Sequence, residues 1–374
     1  MKISNNFKYC SQISFKGHEA KKLDSILVHK NDEFGSDAIL KQLDNIARQH
    51  NVQVQKVKYF PDAWIQDEIY FAPNKKVFSS NYNYAFAYAQ MYGLEAESLT
   101  NKDNPYRFFH VDGGNIFFVS DKDGRQVVLT AKDVDGTSKL KGQEDTFGVD
   151  EIIQLPRADY HADLFVTPIG DNKILVANDK LMLDGLNKML LACYNFILKH
   201  PNDKSNDEIY IFSEKLTKLK EDFERDIQEY NFKGCDEKTA KLLREKGFEV
   251  IPVPSRIYNF KKWKNEHNRD FVTHLLNYSN SITFKNRKNE TVLIAAKSGL
   301  EKELGLTPEI SEKIGIDFEK LFIDAVKPHI RPNNVHFILG DKNIPISKIL
   351  EEKKGGLHCM CVEVPDFYKS PFDF

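Results

Sequence analysis

The chain has 374 residues, with 53 Lys and Arg against 55 Asp and Glu for a formal charge of −2, and 41% of its residues are hydrophobic. That length and balance exclude a micro-scaffold, a disordered segment and a collagen-like chain, and near neutrality argues against nucleic acid as a partner, since phosphate binding needs a clustered basic surplus. Five cysteines (Cys10, Cys193, Cys235, Cys359, Cys361) are odd in number without Cys-x-x-Cys spacing, which speaks against a zinc finger or a disulfide framework and for a reducing compartment.

The residues Met1 to Lys8 have no apolar run behind their lysines, and no 18 consecutive residues are apolar, so a cytoplasmic protein with no membrane partner is expected. Strand-like runs follow at Ser25 to His29, Val52 to Val57, Glu68 to Phe71, Asn115 to Val119, Gln126 to Thr130 and Leu164 to Thr167. Asp121 to Gly124 and Gly170 to Asn172 supply turn chemistry between strands. Ile39, Leu40, Leu43 and Ile46 place a helix over about Ser36 to His50. From Asn178 to Tyr230 the period becomes helical, with Leu183, Leu186, Leu190, Cys193 and Ile197 in one stripe and Phe212, Leu216, Leu219, Phe223 and Tyr230 in another, joined by the polar turn Pro201 to Asn206. Cys193 reads as core filling. Strand signals return at Phe248 to Val253, Ser281 to Phe284 and Thr291 to Ala295. A helix over about Pro308 to Asp324 precedes strands at Val335 to Leu339 and Leu357 to Val364. No linker stands out, so residues 1–374 read as one α/β domain with a helical excursion near 178–232.

Four segments carry residues that a core would not choose. Trp64-Ile65-Gln66-Asp67-Glu68 places two acids at a strand entrance, and Asp112-Gly113-Gly114-Asn115 allows close backbone approach before an apolar run. In Tyr160-His161-Ala162-Asp163, alternation along an extended chain puts His161 and Asp163 on one face, an acid/base pair or a structural one. In Gly355-Gly356-Leu357-His358-Cys359-Met360-Cys361, alternation sends His358 away from Cys359, so a distant base such as His161 would have to activate the thiol. Metal binding by His358, Cys359 and Cys361 is the rival reading, without a second ligand pair to support it.

In this order the segments resemble the guanidino-group modifying enzymes of the pentein superfamily. The first is similar to the substrate-binding segment of peptidylarginine deiminases, the second to the acidic-Gly-Gly segment of arginine and agmatine deiminases. His161-Ala162-Asp163 resembles the family's His-x-Asp pair, and Gly356-Leu357-His358-Cys359 its nucleophile segment. Leu276-Asn277-Tyr278-Ser279-Asn280 is similar to an Asn-aromatic strand of agmatine deiminases. The resemblance implies a five-bladed α/β propeller with pseudo-fivefold symmetry.

It also implies a cysteine-nucleophile hydrolase that converts arginine residues in peptides or proteins to citrulline and ammonia, a protein-arginine deiminase. The alternatives are an agmatine or free-arginine deiminase, an amidinotransferase, or a non-catalytic pentein binding protein. Cys359, His161, Asp163 and Asp67 would be catalytic, and Trp64, Gln66, Asp112 and Asn115 substrate-binding. A guanidinium stays charged at neutral pH, so paired carboxylates such as Asp67 and Asp163 suit it. No metal or cofactor is required by this chemistry. Tyr70 stands where animal peptidylarginine deiminases carry a calcium-binding acid, although Gln66 and Glu68 retain two donors. No arginine occurs from Ile69 to Tyr106, where those enzymes hold the peptide backbone. The helical excursion would either cover the active-site mouth and limit substrate size or form the contact of a homodimer, and the sequence leaves both open.

Overall fold

The computed structural model describes residues 23–29, 37–57, 65–79, 82–98, 100–101, 104–108, 113–131, 140–156, 161–229, 235–259, 272–340, 346, 350 and 356–366. Strand β1 (Leu23–His29) passes through α1 (Asp37–Gln49) into β2 (Gln53–Val57), which runs parallel to it. One helical turn, α2 (Ile65–Glu68), precedes β3 (Tyr70–Phe71); β3 pairs antiparallel with β4 (Lys76–Ser79), and α3 (Tyr82–Tyr92) leads to β5 (Glu95–Ser98), parallel to β4. After the small pair β6 (Thr100–Asn101) and β7 (Asn104–Phe108), β8 (Phe117–Ser120) pairs antiparallel with β9 (Gln126–Ala131), and α4 (Glu144–Phe147) leads to β10 (Glu151–Leu155), parallel to β9.

The same order recurs in β11 (Val166–Gly170) and β12 (Lys173–Ala177), followed by α5 (Asp179–Lys199), α6 (Asn206–Glu229), α7 (Cys235–Glu245) and β13 (Glu249–Val253). A second small pair, β14 (Arg256–Asn259) and β15 (Val272–Leu276), precedes β16 (Ile282–Lys285), β17 (Thr291–Ala296), α8 (Leu300–Leu304), α9 (Pro308–Ile314), α10 (Phe318–Val326) and β18 (Val335–Ile338). Last comes β19 (Cys361–Pro365), antiparallel to β1 with Cys361 opposite Val28.

Among the described residues five three-stranded sheets therefore share one plan: a central strand, an antiparallel neighbour on one side and a parallel neighbour on the other. A parallel neighbour demands a crossover, and in each case it contains at least one helix. Four sheets draw their antiparallel strand from just upstream. The fifth, β19-β1-β2, draws it from the far end of the described chain.

Buried alternation explains the strands less well than continuous apolar runs do. All six residues of β17 are buried, as expected of a central strand covered on both faces. The β11–β12 turn runs through Asp171 and Asn172 at positive φ, 51° and 64°, the left-handed region that Asx residues tolerate. The helical excursion is the antiparallel pair α5 and α6, with Met182, Leu186, Met189 and Cys193 packed among Ile209, Phe212, Leu216 and Phe223. Burial pushes the Cys193 thiol up to about 11, as befits a core residue. Among the described residues α5 is the one helix long and apolar enough to cross a membrane, with mean hydropathy 1.2 over its most apolar stretch. Buried Arg256 secures this pair to β14 by ion pairs to Asp179 of α5 and Asp226 of α6, the latter at 2.6 Å, with its guanidinium 5.8 Å over the Phe223 ring.

Three sequence expectations need correction. The helix expected over Pro308 to Asp324 is two helices, because Gly315 ends α9 at φ 72° and Asp317 restarts the chain by accepting the Lys320 N–H. Glu68 to Phe71 is a helical turn before a two-residue strand. Residues 358–360 form a 3-10 turn, so alternation does not apply to His358 and Cys359. The helices α3 and α7 were not anticipated; α3 is aromatic and small on all sides, without the polar face that marks a helix in sequence.

Candidate active site

Each of the five three-stranded sheets is entered through a short turn or irregular segment, and these five entrances carry the singled-out motifs: 65–68 before β3, 113–115 before β8, 162–164 before β11, 277–281 before β16 and 358–360 before β19. Entrances from distant parts of the chain meet. The 65–68 turn packs against both 113–115 and 358–360, and 113–115 packs against 162–164.

Glycine makes the approach possible. A Cβ on Gly113 would lie 1.8 Å from the Gln66 carbonyl oxygen, and one on Gly114 would lie 2.8 Å from His161 Nδ1 and 2.9 Å from Asp163 Oδ2. A Cβ on Gly356 would fall 2.1 Å from Asn280 Oδ1. At these three positions any side chain larger than hydrogen would displace a segment of the site.

Asp163 is the centre of the arrangement and is fully buried. Its Oδ2 lies 3.0 Å from His358 Nδ1 and accepts the Cys359 thiol at 3.3 Å. His161 Nδ1 stands 3.9 Å from Oδ1, which has no hydrogen-bond partner among the described residues. His161, Asp163 and Cys359 present donor atoms within 4.8 Å of one another, all buried. Such spacing could hold a metal ion, and a thiol hydrogen-bonded to an imidazole-paired carboxylate is also an arrangement that can serve nucleophilic chemistry.

Electrostatics follow from burial and pairing. Burial alone would raise the Asp163 pKa. The hydrogen bond and charge of His358, together with His161 and the Cys359 thiol, outweigh it and hold Asp163 below the ordinary carboxylate value. Burial would lower His358, but the Glu363 charge, with Nε2 3.5 Å from Oε1, and the Asp163 hydrogen bond lift it well above the usual imidazole value. Cys361, two residues from the nucleophile candidate, is buried beside Glu363, and both effects push its thiol well above normal.

Asn280 closes the site from the β16 side. Its Oδ1 accepts the His358 backbone N–H at 2.6 Å while its Nδ2 donates to Cys359 Sγ at 3.5 Å. Ser279 holds that segment through Ser255 Oγ, at 2.9 Å from its N–H and 2.8 Å from its hydroxyl.

Of the residues singled out in the sequence, His161, Asp163 and Cys359 come together. Gln66 is buried beside Gly113, and its Oε1 lacks a hydrogen-bond partner among the described residues. Asn115 directs its amide to the Ala131 backbone, accepting the N–H at 2.7 Å. Asp67 belongs to α2, but its side chain, like Trp64 and Asp112, lies outside the described residues. Sequence reasoning missed His358, Glu363 and Asn280 as members of the site. Asn280 sat in a motif already noted; His358 was turned away by the alternation that its 3-10 turn breaks.

No family model matches the sequence, and no curated protein matches it. Among solved structures the chain is similar to the agmatine deiminase of C. jejuni at 15% identity and TM-score 0.43, covering 92% of this chain and 94% of that one. It is similar to an arginine dihydrolase from the ornithine–ammonia cycle of cyanobacteria at 12% identity and TM-score 0.43, covering 92% of this chain and 39% of that one. DDAH from Pseudomonas aeruginosa, in complex with citrulline, aligns at 10% identity and TM-score 0.40, over 91% of this chain and 99% of that one.

Proposed function

We propose that the chain is a guanidino-group hydrolase with Cys359 as nucleophile, and that its five sheets stand as blades around a pseudo-fivefold axis in one domain. One observation carries the reading: a thiol, an imidazole and an unpartnered carboxylate oxygen, Asp163 Oδ1, share one buried spot. A buried anionic oxygen without a donor is costly, and a guanidinium offers it a planar pair of N–H groups. Gln66 Oε1, also buried and unpartnered, is a second acceptor for the same ligand.

The steps balance on these residues. The substrate cation draws on Asp163 charge, and the Cys359 thiol gives its proton to His161. The thiolate attacks the guanidino carbon, and imidazolium His161 protonates one amino group, which leaves as ammonia. Neutral His161 then takes a proton from water; the hydroxide attacks the S-alkylthiouronium, the C–S bond breaks, and the proton returns to sulfur. The net change is one guanidinium and one water consumed and one ureido product and one ammonium ion formed, the hydroxyl proton of the second tetrahedral intermediate ending on the ammonia. Asp67, Trp64, Asp112 and Asn115 complete the proposed substrate-binding set.

The Trp64 to Glu68 motif favours arginine residues in peptides as substrate. A second reading, agmatine, is favoured by the contact of Asn280 with Cys359, because that asparagine lies in the segment similar to agmatine deiminases. Incubation with an internal-arginine peptide, free arginine and agmatine, each with calcium and with chelator, separates these readings by the ureido product formed. A Cys359→Ala control must be inactive; turnover by that variant overturns the mechanism.

A further inference from the structure

Glu363 takes no part in the chemistry above, yet it is 1% exposed on β19 and its charge faces His358 from the side opposite Asp163. Among the described residues neither Glu363 carboxylate oxygen has a hydrogen-bond partner, and His358 at 3.5 Å is the charge that faces it. The Phe117 ring centroid lies 5.4 Å from the imidazole, and Asn280 anchors the His358 main chain by accepting its backbone N–H at 2.6 Å. Two buried carboxylates thus share one buried ring. A carboxylate buried without a cation would take up a proton instead, so a cationic His358 is the state in which both acids can remain charged.

The consequence falls on Asp163. Its two oxygens are differentiated: Oδ2 is occupied by His358 and the Cys359 thiol, and Oδ1 is left without a donor. Resting on the proposed reaction, we propose that Glu363 is a positioning residue that acts through His358, fixing the rotation of the Asp163 carboxylate so that Oδ1 faces the substrate guanidinium. A glutamine at 363 would keep the shape and remove the charge. His358 would then be held as a cation by Asp163 alone, and the Asp163 carboxylate would turn or share its proton.

The experiment measures binding without turnover. In a Cys359→Ala background, calorimetry gives the affinity for agmatine and for peptidyl-arginine, and for the neutral ureido counterpart of each. Glu363→Gln should weaken the cation about tenfold, the loss expected from degrading one charge-assisted hydrogen bond, and leave the ureido ligand unchanged. His358→Gln should have a similar effect, and Glu363→Gln added to it should have none further, since the first acts through the second. With Cys359 intact, KM should rise with kcat within about twofold. Equal weakening of cation and ureido ligand means that Glu363 merely supports the fold and overturns the proposal, as does additivity of the two substitutions or an unchanged cation affinity. If no guanidine binds the Cys359→Ala protein and none is turned over by the parent, the underlying reaction fails and the positioning role falls with it. Binding that is indifferent to Glu363 sinks the positioning role alone.

Discussion

Gly114→Ala adds one carbon where the site has no room for it. The new Cβ would stand 2.8 Å from His161 Nδ1, 2.9 Å from Asp163 Oδ2 and 3.2 Å from Asp163 Cγ, against about 3.5 Å for an unstrained contact. The neighbours must give by roughly 0.6 Å, and both are hemmed in: His161 is 5% exposed, Asp163 is fully buried, and Asp163 Oδ2 is already committed to His358 and Cys359. Gly114 is not in the left-handed region, so the substitution carries no backbone penalty and acts by crowding alone. A displacement of about 1 Å at reacting groups is worth about a hundredfold in rate; roughly half that distance gives an expected fall in kcat/KM on the order of ten- to a hundredfold. Overpacking should cost about 1–3 kcal/mol of stability. Initial rates of ureido product formation, beside thermal unfolding, are the assay. Gly113→Ala is the contrast, because its Cβ would meet a backbone oxygen at 1.8 Å and should prevent folding. A folded Gly114→Ala protein with wild-type kcat/KM would refute the placement of His161 and Asp163 as working groups.

Three further outcomes are expected. Asn280→Ala strips a hydrogen bond from Cys359 Sγ and leaves the buried His358 N–H without its acceptor; urea unfolding should show a loss of about 1–3 kcal/mol, accompanied by reduced turnover. Arg256→Ala removes the buried cation that pairs with Asp226 of α6 and Asp179 of α5, and the same assay should register a loss of about 3–5 kcal/mol. Stability should also follow pH through the site: the lowered Asp163 contributes above the ordinary carboxylate value and its share is lost only as pH falls through its depressed pKa, whereas the raised His358 contributes fully below 6.5 and its share is lost as pH rises through its elevated pKa. Unfolding midpoints measured from acid to alkaline pH should therefore decline on the alkaline side, and His358→Gln should flatten that limb.

Much of this was legible from composition and spacing, and the exceptions have physical causes. Runs such as Thr291 to Ala296 announce a strand buried on both faces, and the stripes through Leu186 and Phe212 announce the α5–α6 pair. The break at Gly315 and Asp317 was written in the sequence as a C-cap glycine followed by an N-cap aspartate, but the surrounding helical period masked it. At the site, His161, Asp163 and Cys359 were recoverable because their chemistry is uncommon in a core. Glu363 was not: on an apolar strand a lone acid reads as an exposed residue, and only the fold places a histidine beside it. Asn280 was visible as part of a motif, but its partner lies 79 residues away in sequence, a contact that no local pattern encodes.

The pairing of β19 with β1 also sets the order in which the molecule can be completed on the ribosome. The first strand of that sheet is made early and must wait, with one edge open, until nearly all of the described chain has emerged. The 358–360 turn is threaded directly into the strand that fills this edge. A nascent chain thus holds its histidine and aspartate long before its thiol is seated among them. On the proposed reaction, the nucleophile would be seated only with β19, and a chain lacking that strand would be inactive.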